Sequence, residues 1–468
     1  MFNLDNTILK KAKSNYEDIS VPEDIDDYIQ KGIMRGKKSK KKSFKMKFIS
    51  SAACFFLAIF IISIRVSPAF ASFVKNIPGI SYIIELINYD KGLKSAVRNN
   101  FIQPINVSDE HDGLIFTVDN LIVDESRMII FYSIENKTTH KFVNIANVKL
   151  QDKSGNDLDG YCSSRHDFID KDMTLSENKK LHNIIDITFE NENNIPEELN
   201  LQLKMMETNK TSEKHLAEGG TEKNRYKLLP YKWNTSFSID KNKFKNLKEE
   251  YNIDKTICIN NQNITFKKST IYPTRISVDI SFDPNNTSKI LVFNDLKLVD
   301  EKGNEWTEAS GMSGKTIDTN HITRYFESNF FEKPESLYIT CSSIQALDKS
   351  NLDIVVNLEK YKLIKAPDDK LALNKIVKNK EYIELHFNLK KPSSFDKNKM
   401  FSVFNSDFKD SDNNYYHLSN IAMRGNIRDL NNQNIIIKIP KKQYKNPLTF
   451  TVHDYPTIIY DDFKVKIK

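Results

Sequence analysis

Few residues in this sequence combine the types and spacing that chemistry needs. Gly314-Lys315-Thr316, in EASGMSGKT, comes nearest. A phosphate-cradling loop requires two glycines five positions apart, then lysine and a hydroxyl, opened by a buried strand. Ala309 stands where the first glycine belongs, and no apolar strand leads in. Asp410-Ser-Asp412-Asn-Asn414 resembles the start of a calcium loop, which offers oxygens on alternate residues. Such a loop needs glycine at its sixth position and glutamate at its twelfth. Those positions hold Tyr415 and Ile421, so a hairpin turn is expected instead.

The remaining inventory is sparse. Nine histidines are scattered without an HExxH, and no serine stands in a GxSxG setting. Asp368-Asp369 and Asp461-Asp462 lie in linker-like or terminal stretches, where solvated charge explains them. Cys54 sits in an apolar run, and Cys162, Cys258 and Cys341 stand alone, without a CxxC or a disulfide framework. Buried free thiols are expected, with a Cys258–Cys341 pair as the alternative. No catalytic, cofactor-binding or metal-ligating residue is assigned, and no enzyme is expected.

The elements around these residues are far more informative. A chain of 468 residues exceeds one core, and about two to four domains are expected. The net charge of +7 is local, because residues 31–47 carry nine Lys or Arg and no acid. The remainder is slightly acidic, so no nucleic-acid surface is expected.

Residues 48–64, FISSAACFFLAIFIISI, are 17 residues without a charge, ten of them Phe, Ile or Leu. Such a run favours insertion into a bilayer. Nine cations precede it, and only Arg65 and Lys75 follow closely. That asymmetry predicts a single span with its N-terminus in the cytoplasm and residues 66–468 outside. Ala69-Phe70-Ala71, with small residues flanking a bulky one, also fits a signal-peptidase site after Ala71. Two readings therefore stand, a retained anchor and a cleaved leader. The 47-residue tail favours the anchor, because it carries its own structure signals. Ser20-Val21-Pro22-Glu23 fits a capping box, and Ile25, Tyr28, Ile29 and Ile33 follow at helical spacing. Those four residues are the candidate surface for a cytoplasmic partner.

Beyond the span the pattern is repetitive. Met128, Ile130, Tyr132 and Ile134 alternate as in a strand, as do Ile276 to Phe282 and Ile383 to Leu389. The residues between the apolar positions of the second and third sets are largely polar, which predicts one wet face. Each set is followed by the same turn, at Asp152 to Asn156, Asp300 to Asn304 and Asp410 to Asn414, with Gly155, Gly303 and Asn413 at its fourth position. Those residues take positive φ at least cost. A third marker follows at Pro196-Glu-Glu-Leu199, Pro334-Glu-Ser-Leu337 and Pro447-Leu448. Strand and turn both recur 148 residues on, and then after 107 and 110. Shared order and offset imply three copies of one unit.

The fold class expected is therefore mostly β: three tandem immunoglobulin-like β-sandwich units outside, one transmembrane helix and a short helical cytoplasmic tail. A jelly roll or another two-sheet form is the alternative. The expected segments are the tail at 1–47, the span at 48–66 and a juxtamembrane helical segment at 67–105. The sandwiches follow at 106–240, 257–358 and 370–468, with polar linkers near 241–256 and 359–369. Trp233 to Ile239 and Leu352 to Leu358 are expected to close the first and second sandwiches. Ser81 to Asn88 and Asp90 to Phe101 are expected as short helices, with Leu93, Val97 and Phe101 on one face.

VPEDIDDYIQKGIMRGKK, the apolar span, SPAFASFVKNIPG and YDKGLKSAVRNNF together resemble the membrane proteins of domain-of-unknown-function family 4179. IYPTRISVDISF and VDEKGNEW resemble the module that usually follows. The resemblance implies a single-pass, anti-sigma-factor-like regulator of Gram-positive bacteria. It also implies, as partner, an extracytoplasmic-function sigma factor of the kind often encoded beside such genes. Residues 1–47 hold neither His nor Cys, so no zinc-held sigma-binding domain is implied. On this reading the partners are the cytoplasmic membrane, a sigma factor and an unknown envelope ligand, and no cofactor is expected. The competing reading is a structural or adhesive envelope protein, anchored or released, whose tail serves only insertion.

Overall fold

The computed structural model describes residues 80–468 apart from 139, 141–142, 159, 165–179, 191–194, 208–226, 245 and 427–428. Ile25, Tyr28, Ile29, Ile33, Ala69 and Ala71, together with the apolar run, lie outside the described residues. Among the described residues no helix is long and apolar enough to cross a membrane.

Two short helices come first, α1 (Ile80–Leu86) and α2 (Lys91–Arg98). Asp90 caps α2 by accepting from the backbone N–H of Leu93. Leu93, Val97 and Phe101 are all buried, as their spacing predicts.

Sandwich 1 contains β1 (Gln103–His111), β2 (Leu114–Val123), β3 (Arg127–Asn136), β4 (Val143–Asp152), β5 (Gly160–Ser164), β6 (Lys180–Phe189), β7 (Glu198–Glu207), β8 (Lys227–Leu228) and β9 (Trp233–Ser238). One sheet runs β1-β2-β3-β6-β5, and in the other β7 pairs with β4, β8 and β9. The chain changes sheets between β3 and β4 and returns before β5, so sequence neighbours face each other across a core. Trp233 is fully buried there and donates its indole N–H to the Leu114 carbonyl on β2.

A one-turn helix, α3 (Lys241–Phe244), leads to sandwich 2. Its strands are β10 (Glu249–Ile259), β11 (Gln262–Ile271), β12 (Arg275–Phe282), β13 (Ser288–Phe293), β14 (Lys297–Asp300), β15 (Glu305–Trp306), β16 (Gly314–Asp318), β17 (His321–Glu327), β18 (Leu337–Cys341) and β19 (Ile344–Asp348). The first sheet, β10-β11-β12-β17-β16, repeats the order seen in sandwich 1. The stretch 241–256, expected as a linker, instead supplies α3 and most of the edge strand β10. Tyr251 and Ile253 pack on the core, and this half-apolar alternation makes the stretch a strand despite its lysines.

The rest of the chain is β20 (Asp353–Asn357), β21 (Lys362–Lys365), β22 (Leu371–Lys378), β23 (Tyr382–Lys390), α4 (Ser394–Lys397), β24 (Phe404–Lys409), β25 (Tyr415–His417), β26 (Asn420–Asn426), β27 (Asp429–Pro440), β28 (Leu448–Val452), β29 (Ile458–Ile459) and β30 (Phe463–Lys466). Its sheets are β22-β23-β27-β26 and β21-β20-β28-β24-β25. β20 therefore belongs to sandwich 3, in contrast to the expectation that it closes sandwich 2. In its place the C-terminal β30 pairs with β18, and β29 pairs with β19. The cores agree: Ile354, Val356 and Leu358 lie in that of sandwich 3, while Phe463, Val465 and Ile467 lie in that of sandwich 2. Sandwiches 2 and 3 have exchanged closing strands, whereas sandwich 1 closes with its own β9.

The three repeated turns are alike in detail. In each, one aspartate oxygen accepts two backbone N–H groups, and the other accepts the amide of the asparagine four residues on. Gly155, Gly303 and Asn413 all have positive φ. In the third copy the Asp410 carboxylate also accepts from the Tyr416 hydroxyl, so the calcium-like DSDNN is a fully bonded hairpin.

Candidate functional site

The sequence motifs that came nearest to chemistry are structural. Gly314-Lys315-Thr316 lies on the edge strand β16, and its residues pair with β17 instead of looping around a phosphate. A Cβ at Gly314 would stand 2.4 Å from the Thr323 carbonyl oxygen, which explains the glycine. Cys258 is exposed and free, contrary to the expectation of burial, because it falls on the outward face of β10, while its neighbour Ile259 faces the core. Cys341 is buried and free, and burial pushes its thiol up to about 11. Among the described residues no group of three or more His, Cys, Asp or Glu is placed to hold a metal.

A buried polar network lies where α2 meets the facing ends of sandwiches 1 and 2. Arg127 opens β3 and Arg275 opens β12, the same position in successive units, each following a tight turn. Both side chains are about 1% exposed. Arg127 grips Asp186 of β6 with two bonds, at 2.9 Å and 2.6 Å. It also donates to the carbonyl and hydroxyl of Ser310, both at 3.0 Å, in sandwich 2. Arg275 reaches the other way, donating to the Ser126 carbonyl at 2.7 Å and the Thr188 hydroxyl at 2.9 Å, in sandwich 1. Asp124 completes the exchange by accepting from the Thr274 N–H and hydroxyl.

Electrostatics separates the two arginines. Burial alone would lower the Arg127 pKa, but Asp186 and then Asp90 outweigh it and hold the group above the ordinary arginine range. Arg275 has neutral oxygen acceptors and lies over the Tyr325 ring, 3.8 Å from its centroid. Desolvation therefore dominates and its pKa is lowered.

α2 is built into this seam. Asp90 is fully buried, and its second oxygen accepts from the Ser310 hydroxyl at 2.9 Å and Arg127 at 3.4 Å. The Lys91 N–H donates to Glu327 of β17 at 2.8 Å, and the other oxygen of Glu327 holds Thr307. Gly92 follows, where a Cβ would lie 2.4 Å from the Ser328 backbone nitrogen. Glycine is required here by close approach, not by φ. Phe101 then packs edge-on against Phe244 and tilts against Phe331. One helix thus contacts both sandwiches through its cap, its first N–H and its glycine.

The segment through this clamp matches a known family model. Residues 40–136 match a Domain of unknown function (DUF4179). Residues 248–365 match a Family of unknown function (DUF5643). The DUF4179 match carries α2, Asp124 and Arg127, and the DUF5643 match carries Thr274, Arg275, Ser310 and Glu327, so the seam joins the two. No curated protein matches the chain. Among solved structures, the conserved domain protein from Bacillus anthracis is similar at 15% identity, over 56% of this chain and 84% of that one, with a TM-score of 0.36. A likeness at that level implies nothing about function.

Sequence reasoning finds α2 and both strands but misses the clamp. The one available signal is arginine at the same point of two repeats, 127 and 275, where the third copy has Tyr382.

Proposed function

We propose that the chain is a membrane-anchored regulatory or sensory protein, anti-sigma-factor-like, whose extracytoplasmic immunoglobulin-like array couples envelope contact to a cytoplasmic partner. The observation that carries this reading is the gripping of α2 by both sandwiches. α2 begins 27 residues after the apolar run ends at Ile64. A change at the seam therefore alters how the chain leading back to the span is held. A passive tether has no need of a buried cap and a glycine contact at its attachment point. The immunoglobulin-like assignment is supported by the strand order β2-β3-β6-β5 opposite β4-β7-β9. The external placement is supported by the cation excess before residue 48.

The test is co-purification of the detergent-solubilised full chain with the extracytoplasmic-function sigma factor encoded beside it, compared with a chain lacking residues 1–30. Retention by the full chain and loss on deletion is expected. Absence of binding at micromolar concentration overturns the sigma-factor reading and favours the adhesive one.

A further inference from the structure

We propose that the outer face of the second sheet of sandwich 1 binds an anionic polymer carrying repeated phosphate charges. The site is an open cleft of about 250 Å³ lined by Asn147, Lys149, Gln202, Leu203, Lys204 and Lys232. The register brings its side chains together. Asn147 pairs with Lys204 and Lys149 with Gln202 across β4 and β7, so the four alternate onto one face. Leu203 pairs with Trp233 across β7 and β9. Lys204 follows Leu203 and Lys232 precedes Trp233, and both line the cleft.

Two lysines that share one cleft repel, and like charges placed close together on a sheet are ordinarily avoided. Other lysines on these sheets have a carboxylate beside them. Lys149 is neutralised by Asp157 at 2.6 Å, and its counterpart Lys297 by Glu305 at 2.7 Å. Lys268 and Lys438 likewise have glutamate partners. Lys204 and Lys232 are both exposed, and among the described residues neither has a carboxylate partner. Their other neighbours in the cleft are two amides, one leucine and Lys149, whose charge Asp157 already meets. Two uncompensated ammonium groups beside a recess are relieved when an anion enters between them.

The residue types indicate which anion. Lysine acts as a compact point charge with three rotatable donors and is a recurrent phosphate ligand, which suits the oxygens of successive phosphates. The cleft is open and its lysines come from β4, β7 and the approach to β9, so successive charges of one chain can engage different strands. Binding at this face does not depend on what the cytoplasmic tail does, and an adhesive protein would use it equally.

The test uses the full chain in detergent micelles and the anisotropy of labelled inorganic polyphosphate, with orthophosphate and polyglutamate as competitors. Polyphosphate should bind, more weakly as ionic strength rises, and the double variant Lys204→Gln with Lys232→Gln should bind about tenfold more weakly. The same charge change at Lys255→Gln with Lys267→Gln, on sandwich 2, should leave binding unaltered. The cleft variant should also unfold no earlier than the wild-type chain, since it loses a repulsion. Undiminished binding by the cleft variant, or equal loss in the control variant, overturns the site. Competition by polyglutamate as effective as by polyphosphate overturns the phosphate assignment. Full competition by orthophosphate at equal phosphate concentration overturns the polymer.

Discussion

Arg127 and Arg275 stand at the same position of successive repeats, and each guanidinium ends on the other's sandwich. The Arg127 group lies 3.0 Å from the Ser310 carbonyl, and the Arg275 group 2.7 Å from that of Ser126. The contact is reciprocal without being symmetric in energy. Of the two, Arg127 makes direct ion pairs, with Asp186 and Asp90.

That asymmetry predicts unequal losses on truncation. Arg127→Ala removes the cation from two buried carboxylates and should cost about 3–5 kcal/mol. Arg275→Ala leaves only neutral acceptors unmade and should cost about 1–3 kcal/mol. Denaturant unfolding of the two variants measures the difference, and equal losses would contradict the charge assignment.

Gly92→Ala gives a prediction whose sign is informative. Helix propensity alone favours alanine by about 1 kcal/mol. The added Cβ would approach the Ser328 nitrogen to 2.4 Å, so the variant should lose stability instead. Hydrogen exchange should speed up at the α2 amides first, because the collision pushes that helix off the seam. A stabilised variant would mean that α2 is not held against Ser328.

The exchanged strands predict which sandwich fails when the terminus is removed. Ending the chain at Asp462 deletes Phe463, Val465 and Ile467 from the core of sandwich 2. Each such side chain is worth roughly 1.5–3 kcal/mol. The two tryptophans separate the outcomes, since Trp306 reports on sandwich 2 and Trp233 on sandwich 1. Trp306 emission should shift at lower denaturant while the Trp233 transition moves less, as followed in single-tryptophan variants. Conversely, Val356→Asp should destabilise sandwich 3, although Val356 lies only 15 residues beyond Cys341, the last residue of β18 in sandwich 2.

The repeated turn predicts a pH dependence. Partial desolvation of Asp300 works to raise its pKa, but donation by Asn304 and the Lys302 N–H outweighs it and holds the carboxyl below the ordinary aspartate range. A carboxylate depressed in the folded state stabilises fully above its unfolded pKa of about 3.9, and that contribution fades as pH falls through the folded value. Asn304→Ala should therefore raise the Asp300 pKa and move acid unfolding to higher pH. A carboxyl NMR titration checks the first effect, and acid unfolding followed by circular dichroism checks the second.

Local features are legible in the sequence for local reasons. The Asp–Gly or Asp–Asn turns form because an aspartate can bond its own backbone and the fourth residue can take positive φ, whatever surrounds them. The wet-face expectation holds along β23, where burial alternates. It fails along β12, where Ser277 and Ser281 are buried. Alternation reports only that a face is polar, and a small hydroxyl is tolerated under cover as well as in water. Similarly, the short strand Lys362–Lys365 reads as linker in the sequence, because an exposed edge strand needs few apolar residues to pair.

The sequence by itself determined the mostly β character, the three-fold repeat, its turns and the helical entry at Asp90, since each depends on residues within a few positions of one another. Tertiary structure alone decided that β30 closes sandwich 2 while β20 closes sandwich 3. Both strands carry the same alternating code, and a code of period two names a face but not a neighbour. Tertiary structure also decided that Arg127, Arg275 and α2 meet. Burying a charged group is favourable only when its partners arrive from segments far along the chain, and no local pattern records that arrival.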